Sequence, residues 1–451
     1  MSKGTSRTRD MTVGRPVLLI LRFAVPILLG NLLQQLYSLV DTVVIGRAEG
    51  VTAQAAISSA GWLDWAVLSL AIGLAEGFSV AIAQCFGAGD MESLRRNAGQ
   101  SVTLAAAASL LLLLLAQIFL TPVLKLMQSP DETFSMTELY LRIIFSGLPV
   151  IMAYNLLAGF LRAAGNSFIP MLAVTVSTVL NIALDILFVA FFRWSVAGVA
   201  AATTFSQTVS FLICLFAVTR LPFMRIRKTD LAVNGTDASR LMKLAAPISL
   251  QYAVISVGGL ILQGVVNGVG FIFMAGYSAA GKLQGLTELA GTSISGAEGT
   301  FISQNYGAGK FDRLRKGLRC SVLLCTAFAA VMALFLVLCG RGIITLFMND
   351  DPAVVDQVID VGYRFLVFMA IGIWWLYMLF CYRSALQGMG KTVLTMLSGI
   401  VELIMRVSAA LFLPRLIGVN GIYMAEILAW AGAAVWLCVC YYIVIHRKSR
   451  P

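Results

Sequence analysis

Long apolar runs separated by short polar connections set the rhythm of the chain. The runs fall near residues 17–46, 54–85, 94–120, 137–161, 168–192 and 196–219, then, after a polar stretch at 220–239, near 241–268, 275–304, 317–340, 357–385, 393–414 and 419–445. About 20 apolar residues carry a helix across a bilayer, and longer runs cross with tilt or a kink. The pattern therefore predicts twelve transmembrane helices. Pro26 and Pro247 lie inside the first run of each set of six. Such prolines are tolerated in a membrane because neighbouring groups can satisfy the freed carbonyls.

Three landmarks recur in the same order. Arg22-Phe23-Ala24-Val25-Pro26-Ile27 returns as Lys243-Leu244-Ala245-Ala246-Pro247-Ile248. Gln84-Cys85-Phe86-Gly87-Ala88-Gly89 returns as Gln304-Asn305-Tyr306-Gly307-Ala308-Gly309, and Leu161-Arg162-Ala163-Ala164-Gly165-Asn166 as Leu386-Gln387-Gly388-Met389-Gly390-Lys391. Each keeps its place relative to the runs of its half, as a duplication requires. Six spans per half return each half to the face it started from, so the repeats are parallel and related by a pseudo-two-fold axis along the membrane normal. The expected fold is an all-α membrane protein of two six-helix lobes. Its parts are a cytoplasmic tail at 1–16, lobes at 17–219 and 240–445, a cytoplasmic linker at 220–239 and a second tail at 446–451. A monomer surrounded by lipid is expected.

Charge fixes the orientation. Of 33 Lys and Arg residues among 451, a cytoplasmic N-terminus puts 22 on the inner face and five (Arg47, Lys125, Arg193, Arg341, Arg415) outside, where acids such as Asp131-Glu132 and Asp350-Asp351 collect. That bias sets both termini in the cytoplasm of a cell membrane. The net charge of +11 is thus a topological signal, and nucleic acid is not an expected partner. With 12% charged residues and 59% apolar ones the chain cannot cover a soluble surface.

Several chemistries drop out. His446 is the only histidine, which excludes a His-based triad or a multi-histidine metal site. The eight cysteines have no zinc or redox spacing and read as packing residues. The Gly-Ala-Gly segments lack the G-x-x-x-x-G-K-[ST] pattern of a phosphate loop and read as helix ends at the cytoplasmic face. No DDxxD, HExxH or G-x-S-x-G motif supports an enzyme, and no cofactor is expected.

Eight acids fall within the runs: Asp41, Asp64, Glu76, Asp185, Glu288, Glu298, Glu402 and Glu426. An intramembrane carboxylate costs about 2.5–3.5 kcal/mol on insertion scales, so it persists by pairing, binding a cation or lining water. Asn31, Gln34, Ser38 and Asp41 recur at steps of three and four, and Asn181 and Asp185 sit one turn apart. Two carboxylates, an amide and the Thr203 hydroxyl offer oxygens to a small cation; brought close, the same carboxylates can share a proton. Glu402 and Arg406 at i,i+4 are placed to neutralise each other. Glu288, with no evident partner at i±4, is a candidate for attracting a cationic substrate. Trp374, Trp375, Tyr377 and Met378, with Phe271, Phe273, Met274 and Tyr277, suit an adaptable drug pocket, but packing and interfacial belts want the same residues and account for them better.

Met11-Thr12-x-Gly14, Phe23-Ala24-Val25-Pro26 and Gln34-Gln35-Leu36-Tyr37-Ser38-Leu39-Val40-Asp41 resemble the multidrug and toxic compound extrusion (MATE) family. So do the paired Phe86-Gly87-Ala88-Gly89-Asp90 and Gln304-Asn305-Tyr306-Gly307-Ala308-Gly309-Lys310 motifs and Gly198-Val199-Ala200-Ala201-Ala202-Thr203. The resemblance implies a multidrug or organic-cation exporter driven by entry of H⁺ or Na⁺ through alternating access. It implies a coupling-cation site at Asp41, Asn181, Asp185 and Thr203, with Tyr37 adjacent and Na⁺ held there if Na⁺ is the ion. Pro26 is the expected hinge, and Gln34, Glu288, Met274 and Trp374 are the expected substrate-cleft residues, facing small cationic amphipathic molecules. Leu262 stands where Asp41 does in the first half, so one such site per chain is expected. An exporter or flippase of a lipid-linked or endogenous metabolite in the same superfamily is the alternative.

Overall fold

The protein is described by a computed structural model covering residues 8–127, 130–346 and 352–448. Lys3, Arg7, Arg450 and the Asp350-Asp351 pair lie outside the described residues. Every regular element among the described residues is helical: α1 (Pro16–Glu49), α2 (Val51–Ala88), α3 (Met91–Leu126), α4 (Asp131–Ser146), α5 (Leu148–Ala163), α6 (Phe168–Asp185), α7 (Ser195–Thr219), α8 (Gly235–Val269), α9 (Phe271–Gly307), α10 (Phe311–Leu346), α11 (Pro352–Gly388), α12 (Thr392–Phe412), α13 (Pro414–Ile417) and α14 (Asn420–Lys448). Taking α4 and α5 as one bent segment and setting aside the one-turn α13, these are the twelve long helices of the expected fold class.

Two of them depart from a uniform apolar rod. The fourth is broken at Gly147, where α4 and α5 meet at 47°. Pro149 removes a backbone donor just inside α5, so the ladder cannot run on unbroken. The eighth, α9, is long enough to span but carries Lys282, Glu288 and Glu298 among small polar residues, and it is absent from the ten helices that qualify as spans by length and hydropathy. Its polarity must be satisfied within the protein.

The chain divides into two compact units. One holds Met1–Val13, Val25–Ala253 and Ser303–Gly309; the other holds Gly14–Ala24, Val254–Ile302 and Lys310–Pro451. The divisions run through helices. In α1 the change of unit falls between Ala24 and Val25, just before Pro26, whose missing N–H leaves one turn of the ladder open.

The first unit is built on close helix approach. On α2, Gly73 and Gly77 lie four apart against α8, where Ser249 donates from its hydroxyl to the Leu70 carbonyl at 2.8 Å. A Cβ on Gly77 would strike the Ala245 backbone. Small residues at this spacing let backbones meet where burial alone supplies no drive. Farther along, a Cβ on Gly87 would overlap the Gln304 carbonyl, and one on Gly307 the Gln84 carbonyl. The duplicated motif is thus a reciprocal crossing as well as a helix stop. Two residues on, Gly89 and Gly309 take φ of 73° and 71° and end α2 and α9, as the sequence predicts. Gln304 also receives the Met11 N–H on its Oε1 at 2.8 Å and donates from Nε2 to the Ala163 carbonyl at 2.8 Å. Asn305 donates to the Met11 carbonyl at 3.1 Å. These buried amides tie down the segment that precedes α1.

The stretch between the sets of six is docked, not loose. Asp230 accepts from Arg95 Nε on α3 at 2.8 Å and from the Arg227 backbone N–H at 2.7 Å, while Asp237 pairs with Arg96 at 2.9 Å. Burial works to raise the Asp230 pKa, but the Arg227 amide and Arg95 guanidinium outweigh it and hold the carboxyl below the usual aspartate range.

Candidate cation site

Four helices of the first unit bring polar side chains to one place. Tyr37 and Asp41 come from the middle of α1, Asp64 from α2, Asn181 and Asp185 from the last turn of α6, and Thr203 from α7. Asp185 is fully buried and Asn181 is 2% exposed. The carboxyls of Asp41 and Asp185 face each other within hydrogen-bonding reach. Two ionised carboxylates have no hydrogen to share, so the contact is favourable only with a proton or a cation between them. Tyr37, held by Gln34, lies in the field of Asp41, Asp64 and Asp185.

What distinguishes the place is what it lacks. Asp41 Oδ1, Asp64 Oδ1, both Asp185 oxygens, both polar atoms of the Asn181 amide and the Thr203 hydroxyl are buried without a hydrogen-bond partner. Buried polar groups are nearly always paired, because each unpaired one costs about 1–3 kcal/mol. Seven such atoms are carried by five residues of α1, α2, α6 and α7. Six of them are oxygens, which suit a proton or a hard cation, and the seventh is the donating Asn181 amide nitrogen.

Local structure explains how Asp185 reaches Asp41. The α-helix stops at Asp185 and continues as a π turn, Ile186–Phe191. π turns widen a helix and recur at functional sites. Phe188 stacks on Trp194 at 4.9 Å, and Arg193 and Ser195 take positive φ to reverse the chain into α7.

Of the five residues Tyr37, Asp41, Asn181, Asp185 and Thr203, the structure sets Tyr37 and Asp41 against Asp185 and keeps Asn181 one turn before Asp185, while the Thr203 hydroxyl is buried on α7. The structure adds two that sequence spacing did not connect to them. Asp64 presents an unpaired oxygen, and Tyr140 of α4 lies in the field of Asp64, Asp41, Tyr37 and Asp185. An aspartate between Leu63 and Trp65 in an apolar run was the visible signal for the first. Nothing in the sequence marks Tyr140.

The second unit disposes of its charges differently. Arg406 on α12 donates to Glu402 at 2.8 Å and to Glu426 of α14 at 2.9 Å, and Arg383 of α11 donates to Glu402 at 2.9 Å. The expected Glu402/Arg406 pair is half of a neutral four-membered cluster. Glu288 corrects an expectation: it has a partner at i−4, since Gln284 donates to it at 2.9 Å, and it lies in the field of Arg406. Trp374, 40% exposed, donates to Thr326 of α10 at 3.1 Å. Met274 caps the first turn of α9, its amide bonded to the Gly270 carbonyl at 3.0 Å. Tyr377, Met378 and Phe273 are core, the last stacked on Tyr423 at 5.5 Å.

The family model named MatE matches residues 26–187 and 247–412, one match in each half. The chain is 27% identical over 413 residues to the probable multidrug resistance protein YoeA of Bacillus subtilis, covering 90% of this chain and 84% of that one. It is 23% identical over 445 residues to the multidrug export protein MepA of Staphylococcus saprophyticus, covering 95% and 94%. Among solved structures, a MOP superfamily transporter from Pyrococcus furiosus, described by a binding pocket of reverse polarity suggesting a different function, superposes over 100% of both chains with a TM-score of 0.93 at 21% identity.

Proposed function

The chain belongs to the MatE family, a family of transporters rather than enzymes, and on that premise we propose that it is a multidrug exporter of the cell membrane, exchanging small cationic amphipathic molecules for H⁺ or Na⁺. The observation that carries the coupling step is the unpartnered wall around Asp41 and Asp185. A cation entering from outside neutralises the two carboxylates and removes their repulsion. Asp41, Asp185, Asn181 and Thr203 hold it, with Asp64 and Tyr37 completing the wall. Neutralisation lets α1 repack beside the open rung at Pro26, and the protein changes the side to which it opens. Release of the cation to the cytoplasm restores the repulsion and resets the cycle. One charge crossing 100 mV supplies about 2.3 kcal/mol, a factor of roughly 50 in a two-state equilibrium.

A cationic cargo is supported by the engagement of Arg383 and Arg406 with Glu402 and Glu426, which leaves Glu288 close to a neutral cluster. The YoeA and MepA names support the export of multiple drugs.

The test is efflux of a cationic fluorescent dye from proteoliposomes with H⁺ and Na⁺ gradients imposed separately. Wild type is expected to respond to one of them and Asp41→Asn to neither. Dye efflux in Asp41→Asn equal to wild type would overturn the proposal.

A further inference from the structure

Among the described residues of the second unit, a single acid is buried as completely as Asp185 and has no counter-charge. Glu298, on α9, is 0% exposed, and both its carboxylate oxygens lack a hydrogen-bond partner. The groups that act on it are the Ser321 hydroxyl and Cys325 thiol of α10 and the Cys381 thiol of α11. Cys320 of α10 and Tyr441 of α14 lie within its field, and Tyr441 in turn feels Arg315 and Arg319. The Cys325 and Cys381 sulfurs are 3.3 Å apart, and the Ser321 and Tyr441 hydroxyls are themselves buried and unpaired. No arginine or lysine is among the groups acting on Glu298.

The duplication says whether this arrangement is needed to build a lobe. Counting from the paired stops Gly89 and Gly309, Glu298 falls opposite Phe78, Ser321 opposite Ser101 and Cys325 opposite Ala105. Counting from Leu161 and Leu386 sets Cys381 opposite Leu156, and from Gly198 and Gly421 it sets Tyr441 opposite Val218. Phe78, Ala105, Leu156 and Val218 all belong to one apolar core cluster of the first unit. Ser101 there donates to the Asn97 carbonyl at 2.7 Å, whereas Ser321 is left open. An apolar plug fills this place in one half, and a carboxyl ringed by two thiols and two hydroxyls fills it in the other. Packing needs no acid here.

We propose that Glu298 is a proton-binding site, separate from the Asp41/Asp185 site, that is loaded and emptied as the helices around it exchange conformations. One carboxyl, two hydroxyls and two soft thiols do not make the hard-oxygen shell that Na⁺ requires, which leaves the proton as occupant. A carboxyl buried without a counter-charge is favoured as the neutral acid. When water reaches it the O–H bond breaks, the electron pair stays on the carboxylate and the proton passes to that water. The site does not depend on which ion drives export through Asp41.

Infrared difference spectroscopy of the full chain in lipid tests this. Expected is a carboxylic C=O band at neutral pH, present in wild type and in Asp41→Asn, lost in Glu298→Gln, and diminished when a cationic dye is added. Proton release on dye addition, read with an indicator in weakly buffered medium, should fall by about half in Glu298→Gln if each site gives up one proton. Glu298→Met, which recreates the apolar plug of the first half, should fold at least as stably as wild type and lack the band, so the comparison survives should Glu298→Gln fold poorly. Absence of the band from wild type, or a band unmoved by pH and by dye, would overturn the proposal. Failure of the Asp41 site would show itself separately, as dye efflux indifferent to Asp41→Asn.

Discussion

The Asp41 wall and the Arg406 cluster solve the same problem in opposite ways. Both are polar constellations gathered from three or more helices inside apolar surroundings. Around Arg406 every charge has an opposite charge within 3.2 Å, two acids against two arginines. Around Asp41 the charges have one sign, and seven polar atoms have no partner. A closed cluster binds nothing and holds α11, α12 and α14 together. An open one is expensive until something enters it. The contrast separates charge that serves architecture from charge that serves exchange, although both read alike as intramembrane acids.

The comparison can be broken first at its closed end. Arg406→Met strands Glu426 in the interior and leaves Glu402 with Arg383 alone, and about 3–5 kcal/mol of stability should be lost. Thermal unfolding in detergent measures it, and a double variant that also carries Glu426→Gln, keeping the Arg383–Glu402 pair, should recover most of the loss. At the open end the prediction reverses. Asp41→Asn removes repulsion, so it should leave the unfolding temperature equal or higher while gradient-driven efflux falls about 100-fold, a loss equivalent to about 2.7 kcal/mol. A destabilised but active Asp41→Asn would show that the wall is architectural after all. Between these ends, Gly87→Leu tests packing without charge: the overlap with the Gln304 carbonyl should cost about 1–3 kcal/mol, seen in the same melts.

The smallest effect concerns a paired acid outside the membrane. Asp230 has its pKa lowered in the folded state, so its contribution is present above the unfolded value, about 3.9, and fades as pH falls through the folded one. Asp230→Asn should therefore cost about 1 kcal/mol at neutral pH and nothing at pH 2, and proteolysis of the 220–239 segment at neutral pH should accelerate.

The spans were legible because a helix in lipid must repeat its apolar character residue after residue. The duplication was legible because Pro26/Pro247 and the two Gly-Ala-Gly stops recur in order. The polar stripe ending at Asp41 and the Asn181/Asp185 step are local spacings, and so they could be read from the sequence. What escaped is non-local. The bend at Gly147, the grip of Gln304 on Met11, and the convergence of Asp64 and Tyr140 depend on which helices become neighbours, and no spacing encodes that. The ring about Glu298 draws on four helices and was invisible for the same reason.

The π turn after Asp185 has a consequence for how this chain can change over time. Such a turn houses one residue more than the regular helix, and a helix continuing past it emerges rotated by about 100°. Here nothing continues: Phe192 ends the turn, and the positive-φ residues Arg193 and Ser195 send the chain back at once. The counterpart helix α12 runs regularly to Phe412. Gains and losses of single residues beyond Val189, the buried residue of the turn, are therefore absorbed locally, without turning a buried face toward lipid. Variation among descendants of this chain should collect there as changes of length, while the identity of position 185 stays fixed.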